Sequence, residues 1–268
     1  MKMKNYIKNI MSLINKGYVI NDFVLNKLNV HPPHCIIEQS VLVETEKGVL
    51  LKFNAPRDMP LSYTIDEIIQ NKCYLKHQKD IFNGIIIDIG ANIGIFSIYA
   101  SVNYNSKVYA IEMDKFNYDC LQVNVNMNKD NTDIICCNKA ISSKRSDIKY
   151  KHSYDMVGSF IIKDNEENNK DINLIKSITL EDFLIEMSID NVDLLKLDCE
   201  GSEYEIILCE NENTFDKIKS MSIEYHLKNN KSKTLLSEMI NKLKCFYSNV
   251  LIEHDEFRGN LGIIYVNH

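Results

Sequence analysis

Three carboxylates, Asp198, Glu200 and Glu203, stand within six positions in the run Leu195-Lys196-Leu197-Asp198-Cys199-Glu200-Gly201-Ser202-Glu203. Like charges this close repel, raise one another's pKa and create a group that takes up a proton or a cation. Three roles are open to such a cluster: positioning a cofactor, binding or deprotonating a substrate hydroxyl, and binding a divalent metal. Asp198 and Glu200 are the candidate catalytic carboxylates, while Glu203 also suits a helix N-terminus, where it complements the dipole. Glu205 and Glu210 read as solvated face. Lys196 alternates into a buried strand, which is costly without a partner, so a salt bridge to a cluster member or to Glu224 is expected. His226 is the histidine best placed as a general base, because an imidazole titrates near neutrality. Glu224 or Asp198 would orient it, and a structural role fits equally well. The other histidines (His31, His34, His77, His152, His254 and His268) show no metal-ligand spacing, so no structural zinc is expected and no metal ligand is assigned.

A second constellation lies upstream. The apolar run Ile85-Ile86-Ile87-Asp88-Ile89 leads into Gly90-Ala91-Asn92-Ile93-Gly94, the pattern of a buried strand, a tight turn and a helix whose first N–H groups face a ligand. A dinucleotide fingerprint needs a middle glycine to admit a pyrophosphate, and here that position is not glycine. Asp88, two residues before the turn, instead suits an ammonium or sulfonium group. Glu112 falls 22 positions after Gly90 (112 minus 90), at the end of the next strand, where a carboxylate accepts hydrogen bonds from both hydroxyls of a ribose. Asn138 and Ala140, just past the third strand, are candidates for adenine contacts. Gly158 and Ser159 are candidates to border the adenine or the substrate. The plain alternative is a tight connection with a solvated Asp88 and Glu112.

These residues need elements to hold them. From residue 84 onward, strands alternate with helices. Strands are predicted over 85–89, 107–111, 133–137, 148–151, 192–197, 220–224, 249–253 and 262–266. Helices are predicted over 94–101, 115–128, 179–187 capped by Thr179, 203–208 and 233–244. The helix at 115–128 should bury a stripe of Phe116, Cys120, Val123 and Met127. This order predicts a mostly parallel sheet with helices on both faces, an antiparallel closing hairpin, and chemistry at the C-terminal strand ends. All four prolines fall within the first 60 residues, which marks an N-terminal accessory layer over 1–75 ahead of a main domain over 76–268. That layer reads as a helix over 4–29, two strands turning at Glu46-Lys47-Gly48, and a helix over 64–74 capped by Thr64. The segment 163–170 is too charged to be core.

Composition narrows the function classes. Thirty-one Lys and Arg against 37 Asp and Glu leave a formal charge of -6, which argues against a phosphate-backbone binder, so no nucleic-acid partner is expected. Eight cysteines are scattered without a C-x-x-C pair and read as reduced structural thiols. No run approaches the roughly 20 apolar residues of a membrane span, and no signal-peptide core is visible, so a cytoplasmic location is expected.

The stretch Ile87-Asp88-Ile89-Gly90-Ala91-Asn92-Ile93-Gly94-Ile95-Phe96-Ser97 resembles motif I of class I methyltransferases. The Lys196 to Glu203 run resembles the K-x-D-x-E-G-x-E signature of the FkbM family. Ala110-Ile111-Glu112, Val157-Gly158-Ser159, Ile178-Thr179-Leu180-Glu181-Asp182 and Ile223-Glu224-Tyr225-His226 follow in the family's order. Met113 departs from the pattern, standing where the family usually has proline. The resemblance implies a Rossmann-like α/β fold with a seven-stranded, mostly parallel sheet. It also implies S-adenosyl-L-methionine as cofactor, held by Asp88, Gly90, Ala91, Asn92, Gly94, Glu112, Met113, Asn138, Ala140, Ser159 and Asp198, and O-methylation of a sugar, glycan or small metabolite. A peptide carboxylate, an RNA base and a non-catalytic binding module are the rival readings.

Overall fold

The computed structural model describes residues 39–56, 59–78, 81–152, 160–161, 172–255 and 258–268. The helix expected over 4–29, Gly158, Ser159 and the charged segment 163–170 lie outside the described residues.

Strands β1 (Gln39–Glu44) and β2 (Leu50–Ala55) pair antiparallel across the expected turn, where Gly48 takes a φ of 75°. Helix α1 (Leu61–Ile65) follows and runs directly into a π-helical turn, Asp66–Gln70. Thr64 is therefore not the cap: the helix starts right after Pro60, and the Thr64 hydroxyl donates back to the Pro60 carbonyl at 3.1 Å.

Next come β3 (Ile85–Ile89), α2 (Ile95–Tyr104), β4 (Lys107–Ile111), α3 (Lys115–Met127) and β5 (Asp133–Cys137). Four short strands follow: β6 (Ala140–Ile141), β7 (Ser146–Lys151), β8 (Phe160–Ile161) and β9 (Ile172–Ile178). They form a separate small sheet in the order β6-β9-β7-β8, of which only β7 was anticipated. The chain continues through α4 (Leu180–Glu186), β10 (Leu194–Leu197), α5 (Glu203–Cys209), α6 (Glu212–Phe215), β11 (Ser220–His226), α7 (Asn230–Phe246), β12 (Asn249–His254) and β13 (Leu261–Asn267). Thr179 caps α4 as expected, accepting from the Asp182 N–H.

The main sheet has seven strands in the order β5-β4-β3-β10-β11-β13-β12. All neighbours are parallel except the closing hairpin, in which β13 runs antiparallel to both β11 and β12. Alternation along each strand sends side chains to two cores. Ile87, Ile89, Tyr109 and Ile111 pack with Phe183, Tyr204, Met239 and Leu243 on one face. Ile86 and Val108 pack with Ile95, Ile98 and Tyr99 of α2 on the other. The β1–β2 hairpin joins this second core through Val41, Val43, Leu51 and Phe53.

Helix α3 buries part of its expected stripe: Cys120 is buried and Phe116 packs half-buried against the second core, Val123 and Met127 are half-buried, and Asn117, Leu121 and Asn124 are buried in addition. The reason for Asn124 is the edge of β2, whose backbone groups need partners. The Asn124 amide donates to the Asn54 carbonyl at 3.0 Å and accepts from the Asn54 N–H at 2.8 Å. Asn128, one turn later, repeats the pattern at Lys52 with bonds of 2.7 and 2.9 Å. Two asparagines four positions apart thus extend the hairpin's hydrogen bonding. Among the described residues, no helix is long and apolar enough to cross a membrane.

Candidate active site

Strand order reverses between β3 and β10, and at such a switch point the loops that follow diverge and leave a crevice. The two strand ends meet closely: the Asp198 N–H donates to the Ile89 carbonyl at 3.1 Å, and a Cβ on Gly90 would lie 1.7 Å from the Asp198 carbonyl oxygen. Only glycine tolerates that approach together with a φ of 79°.

Two cavities open from this junction. One, about 630 Å³ to its open mouth, is lined by Gly90, Asn92, Glu112, Met113, Ala140, Asp198 and Glu200, together with Lys139. Glu112 is buried, and its two oxygens accept from the Asn92 and Asp114 N–H groups, both at 2.8 Å. Burial nevertheless outweighs those donors and lifts its pKa to about 7. Asn138 lies behind the wall, donating its amide to the carbonyls of Glu112 and Met113 at 2.9 and 3.1 Å. The second cavity, about 1020 Å³, shares Gly90, Asn92, Asp198 and Glu200 with the first and adds Ala91, Glu224, Tyr63, Tyr74, Phe96 and Arg258.

Asp88 does not reach either cavity. It is 0% exposed, takes the Ser97 hydroxyl at 2.5 Å and lies 3.0 Å from the Lys196 ammonium. The cation it attracts belongs to the protein. Lys196 also donates to the Gly90 carbonyl at 2.8 Å and lies 3.7 Å from Asp198, so its partners are Asp88 and Asp198 and not Glu224. Burial works against its charge, but those two carboxylates hold it protonated, above the usual lysine range. Gly94 likewise stays out of the cavities; it forms the N-cap of α2 with a φ of 90°.

The acidic turn is built by its own residues. Glu200 and Gly201 both take left-handed φ, 55° and 107°. Glu203 is 0% exposed and accepts from the Cys199 and Gly201 N–H groups at 2.7 and 3.1 Å, clamping the turn from within. Glu210, expected in solvent, is buried: it accepts from the Leu180 N–H and the Thr214 hydroxyl, both at 3.0 Å, and so ties α4 to α6. Glu205 is exposed, as expected.

His226 is 7% exposed and lines neither cavity. Its Nε2 lies 3.5 Å from Glu200 and 3.8 Å from Glu224, and its Nδ1 lies 3.5 Å from Glu203, beyond good hydrogen-bond length. Burial lowers its pKa, but the surrounding Glu203, Asp198 and Glu200 overcome that and raise it to about 9. At neutral pH the imidazole therefore carries a proton, which differs from the free base expected for it. Burial and the Asp198 charge push the carboxyl pKa of Glu200 up to about 7 and also raise that of Glu224. Tyr74, unforeseen from sequence, places its single hydroxyl donor 2.9 Å from Asp198 and 2.5 Å from Glu224, across 124 and 150 positions. No spacing or periodicity could have linked residues that far apart.

A family model described as the methyltransferase FkbM domain matches residues 88–250. Methyltransferase sdnD of Sordaria araneosa is 24% identical over 219 residues, which cover 68% of this chain and 80% of that protein. Among solved structures, methyltransferase FkbM from Methylobacillus flagellatus KT is similar at 17% identity and a TM-score of 0.47, over 68% of this chain and 42% of its own, so this chain spans less than half of that structure's length. M. jannaschii TYW2, solved in complex with AdoMet, is 14% identical with a TM-score of 0.44, over 85% of this chain and 84% of its own. The family match takes in more than half of the 268 residues and runs from the strand before the glycine turn past His226, and on that ground the chain belongs to the FkbM methyltransferase family.

Proposed function

We propose that the chain transfers the methyl group of S-adenosyl-L-methionine to a hydroxyl oxygen of a sugar, glycan or small secondary metabolite. The observation that carries this reading is the meeting of two cavities along Gly90, Asn92, Asp198 and Glu200, one suited to a nucleoside and the other to an acceptor. The first fits the cofactor on its own chemistry. Glu112 presents carboxylate oxygens with capacity to spare for two ribose hydroxyls, and Asn92 Oδ1 is buried without a hydrogen-bond partner. Gly90 keeps the floor clear of side chain. When bound, the cofactor supplies an electrophilic methyl on a sulfonium.

The chain's own residues then have to align an acceptor oxygen and manage its proton, since methyl transfer is an in-line displacement that depends mainly on positioning. Asp198 and Glu200 face both cavities and accept the acceptor hydroxyl's hydrogen bond, which turns an oxygen lone pair toward the first cavity. The proton leaves into the Asp198, Glu200, Glu224 and His226 cluster. Tyr74 holds Asp198 and Glu224 in register, and the exposed Tyr63 offers its ring to an apolar or sugar-like acceptor. Residues 59–74 thus act as the acceptor-selecting part of the accessory layer. An acceptor carboxylate would meet the like charge of this wall, which ranks hydroxyls above a peptide carboxylate.

The test is transfer of labelled methyl from S-adenosylmethionine to panels of sugar, lipid and peptide acceptors, alongside calorimetric titration with S-adenosylhomocysteine. Label in hydroxylated acceptors supports the reading. A protein that binds no S-adenosylhomocysteine overturns it.

A further inference from the structure

We infer that Asp198, Glu224 and His226 form a site for one divalent cation at the wall of the second cavity, which Asp198 and Glu224 line, with open coordination positions facing the acceptor. One donor atom from each of the three lies within 4.8 Å of the others. They come from the ends of two adjacent parallel strands, β10 and β11, so the sheet itself fixes their spacing.

Each carboxylate keeps one oxygen free. Tyr74 occupies Asp198 Oδ2 and Glu224 Oε2, leaving Glu224 Oε1 turned to His226 Nε2 at 3.8 Å. Ligating carboxylates are held in this way, by a hydrogen bond on the oxygen that does not bind. A cation at ~2.1 Å from each donor brings neighbouring donors to about 3 Å, so roughly 1 Å of side-chain movement closes the site.

A second, independent observation points to a ligand. His226 is more than nine-tenths buried; its Nδ1, on the Glu203 side of the ring, is buried without a hydrogen-bond partner, and its Nε2, turned toward the site, stands 3.5 Å from Glu200 and 3.8 Å from Glu224. Glu203 Oε2, fully buried beside it, is also unpartnered. Lys196 spans Asp88, the Gly90 carbonyl and, at 3.7 Å, Asp198, and Lys228 donates to the Glu200 carbonyl at 2.6 Å. Asp198, Glu200, Glu203 and Glu224 surround one imidazole, with the Lys196 ammonium beside Asp198.

Two carboxylates and one imidazole, which releases a ring proton to solvent as the cation binds, suit a six-coordinate first-row cation such as Mn²⁺. Three positions remain for water or for the oxygens of the acceptor. A cation there would draw in adjacent acceptor oxygens and make a hydroxyl easier to deprotonate. That consequence rests on the methyl-transfer reading; the binding does not.

The experiment uses the full chain, freed of metal by chelator and titrated with Mn²⁺ while the free ion is followed by electron paramagnetic resonance. The expected result is one Mn²⁺ per chain, with affinity at least tenfold weaker in Glu224→Gln and in His226→Gln and unchanged in the exposed Glu205→Gln. Circular dichroism and S-adenosylhomocysteine titration in chelator show that the variants remain folded. Wild-type protein that takes up no stoichiometric Mn²⁺, or folded Glu224→Gln and His226→Gln that bind it like wild type, overturns the site. Absent S-adenosylhomocysteine binding instead overturns the methyl-transfer reading, so the two failures are distinct.

Discussion

Replacing Glu112 by glutamine should remove the larger part of the pH dependence of cofactor affinity. In the unliganded chain, burial outweighs the donated Asp114 and Asn92 N–H groups and raises the Glu112 pKa to about 7. Ribose hydroxyls donate, so they need the carboxylate and not the acid. Observed affinity then follows the ionised fraction, about one tenth at pH 6 and about nine tenths at pH 8, which makes S-adenosylhomocysteine roughly tenfold weaker at pH 6 than at pH 8, or about 1.4 kcal/mol. Stability moves the opposite way. Because the folded pKa lies above the ordinary 4.5, the folded chain holds this proton more tightly than the unfolded chain. Glu112's contribution to stability is thus full below about pH 4.5 and lost as pH rises through about 7, up to about 3 kcal/mol. Glu200 titrates in the same range and lines the same cavity, but glutamine at position 112 leaves it untouched. A glutamine amide also has only one oxygen for the two N–H groups that Glu112 satisfies, and one left unpaired costs about 1–3 kcal/mol. Calorimetric titration from pH 5.5 to 8.5 should therefore show a steep wild-type profile and a shallower, weaker one in Glu112→Gln. A flat wild-type profile, or equal slopes, would refute the reasoning.

Three further perturbations probe the scaffold. Gly90→Ala places a Cβ 1.7 Å from the Asp198 carbonyl oxygen at a left-handed φ, so we expect about 2–4 kcal/mol of destabilisation and loss of S-adenosylhomocysteine binding; an unchanged melting temperature would contradict the close approach. Lys196→Met leaves Asp88 charged in a fully buried place, with an expected cost of about 3–5 kcal/mol by denaturant unfolding, and a loss under about 1 kcal/mol would show that Asp88 does not depend on this ammonium. Asn124→Ala removes the bonds to Asn54 and Ile93, and about 2–3 kcal/mol should disappear. Amide exchange should quicken first in the hairpin of residues 39–55, and exchange that stays at the wild-type rate there would detach α3 from the role assigned to it.

Much of the frame was legible because it depends on neighbours in the chain. A short β-branched run such as Ile85–Ile89 ahead of a glycine turn favours a buried strand, Gly90 and Gly94 can adopt the φ of 79° and 90° that the turn requires, and Thr179 finds the Asp182 N–H three residues away. Those local facts are enough to place the crevice at the ends of β3 and β10 and to bring Glu112 to its edge. Three particulars were not legible. Asp88 reads as a ligand carboxylate until Lys196, on the neighbouring strand, is seen to neutralise it. Glu210 reads as solvent-facing until α4 and α6 close over it. His226 reads as a base until carboxylates from the acidic turn and its own strand surround it and hold its proton.

By itself, then, the sequence determined the α/β order, the glycine turn and the residues that bear the chemistry, because backbone preference and side-chain alternation act over a few positions. Which charges pair, which carboxyls are raised and that Tyr74 joins Asp198 to Glu224 emerge once the sheet is packed. Charge pairing and desolvation depend on distance in space, and packing a sheet brings together groups that the chain keeps more than a hundred positions apart.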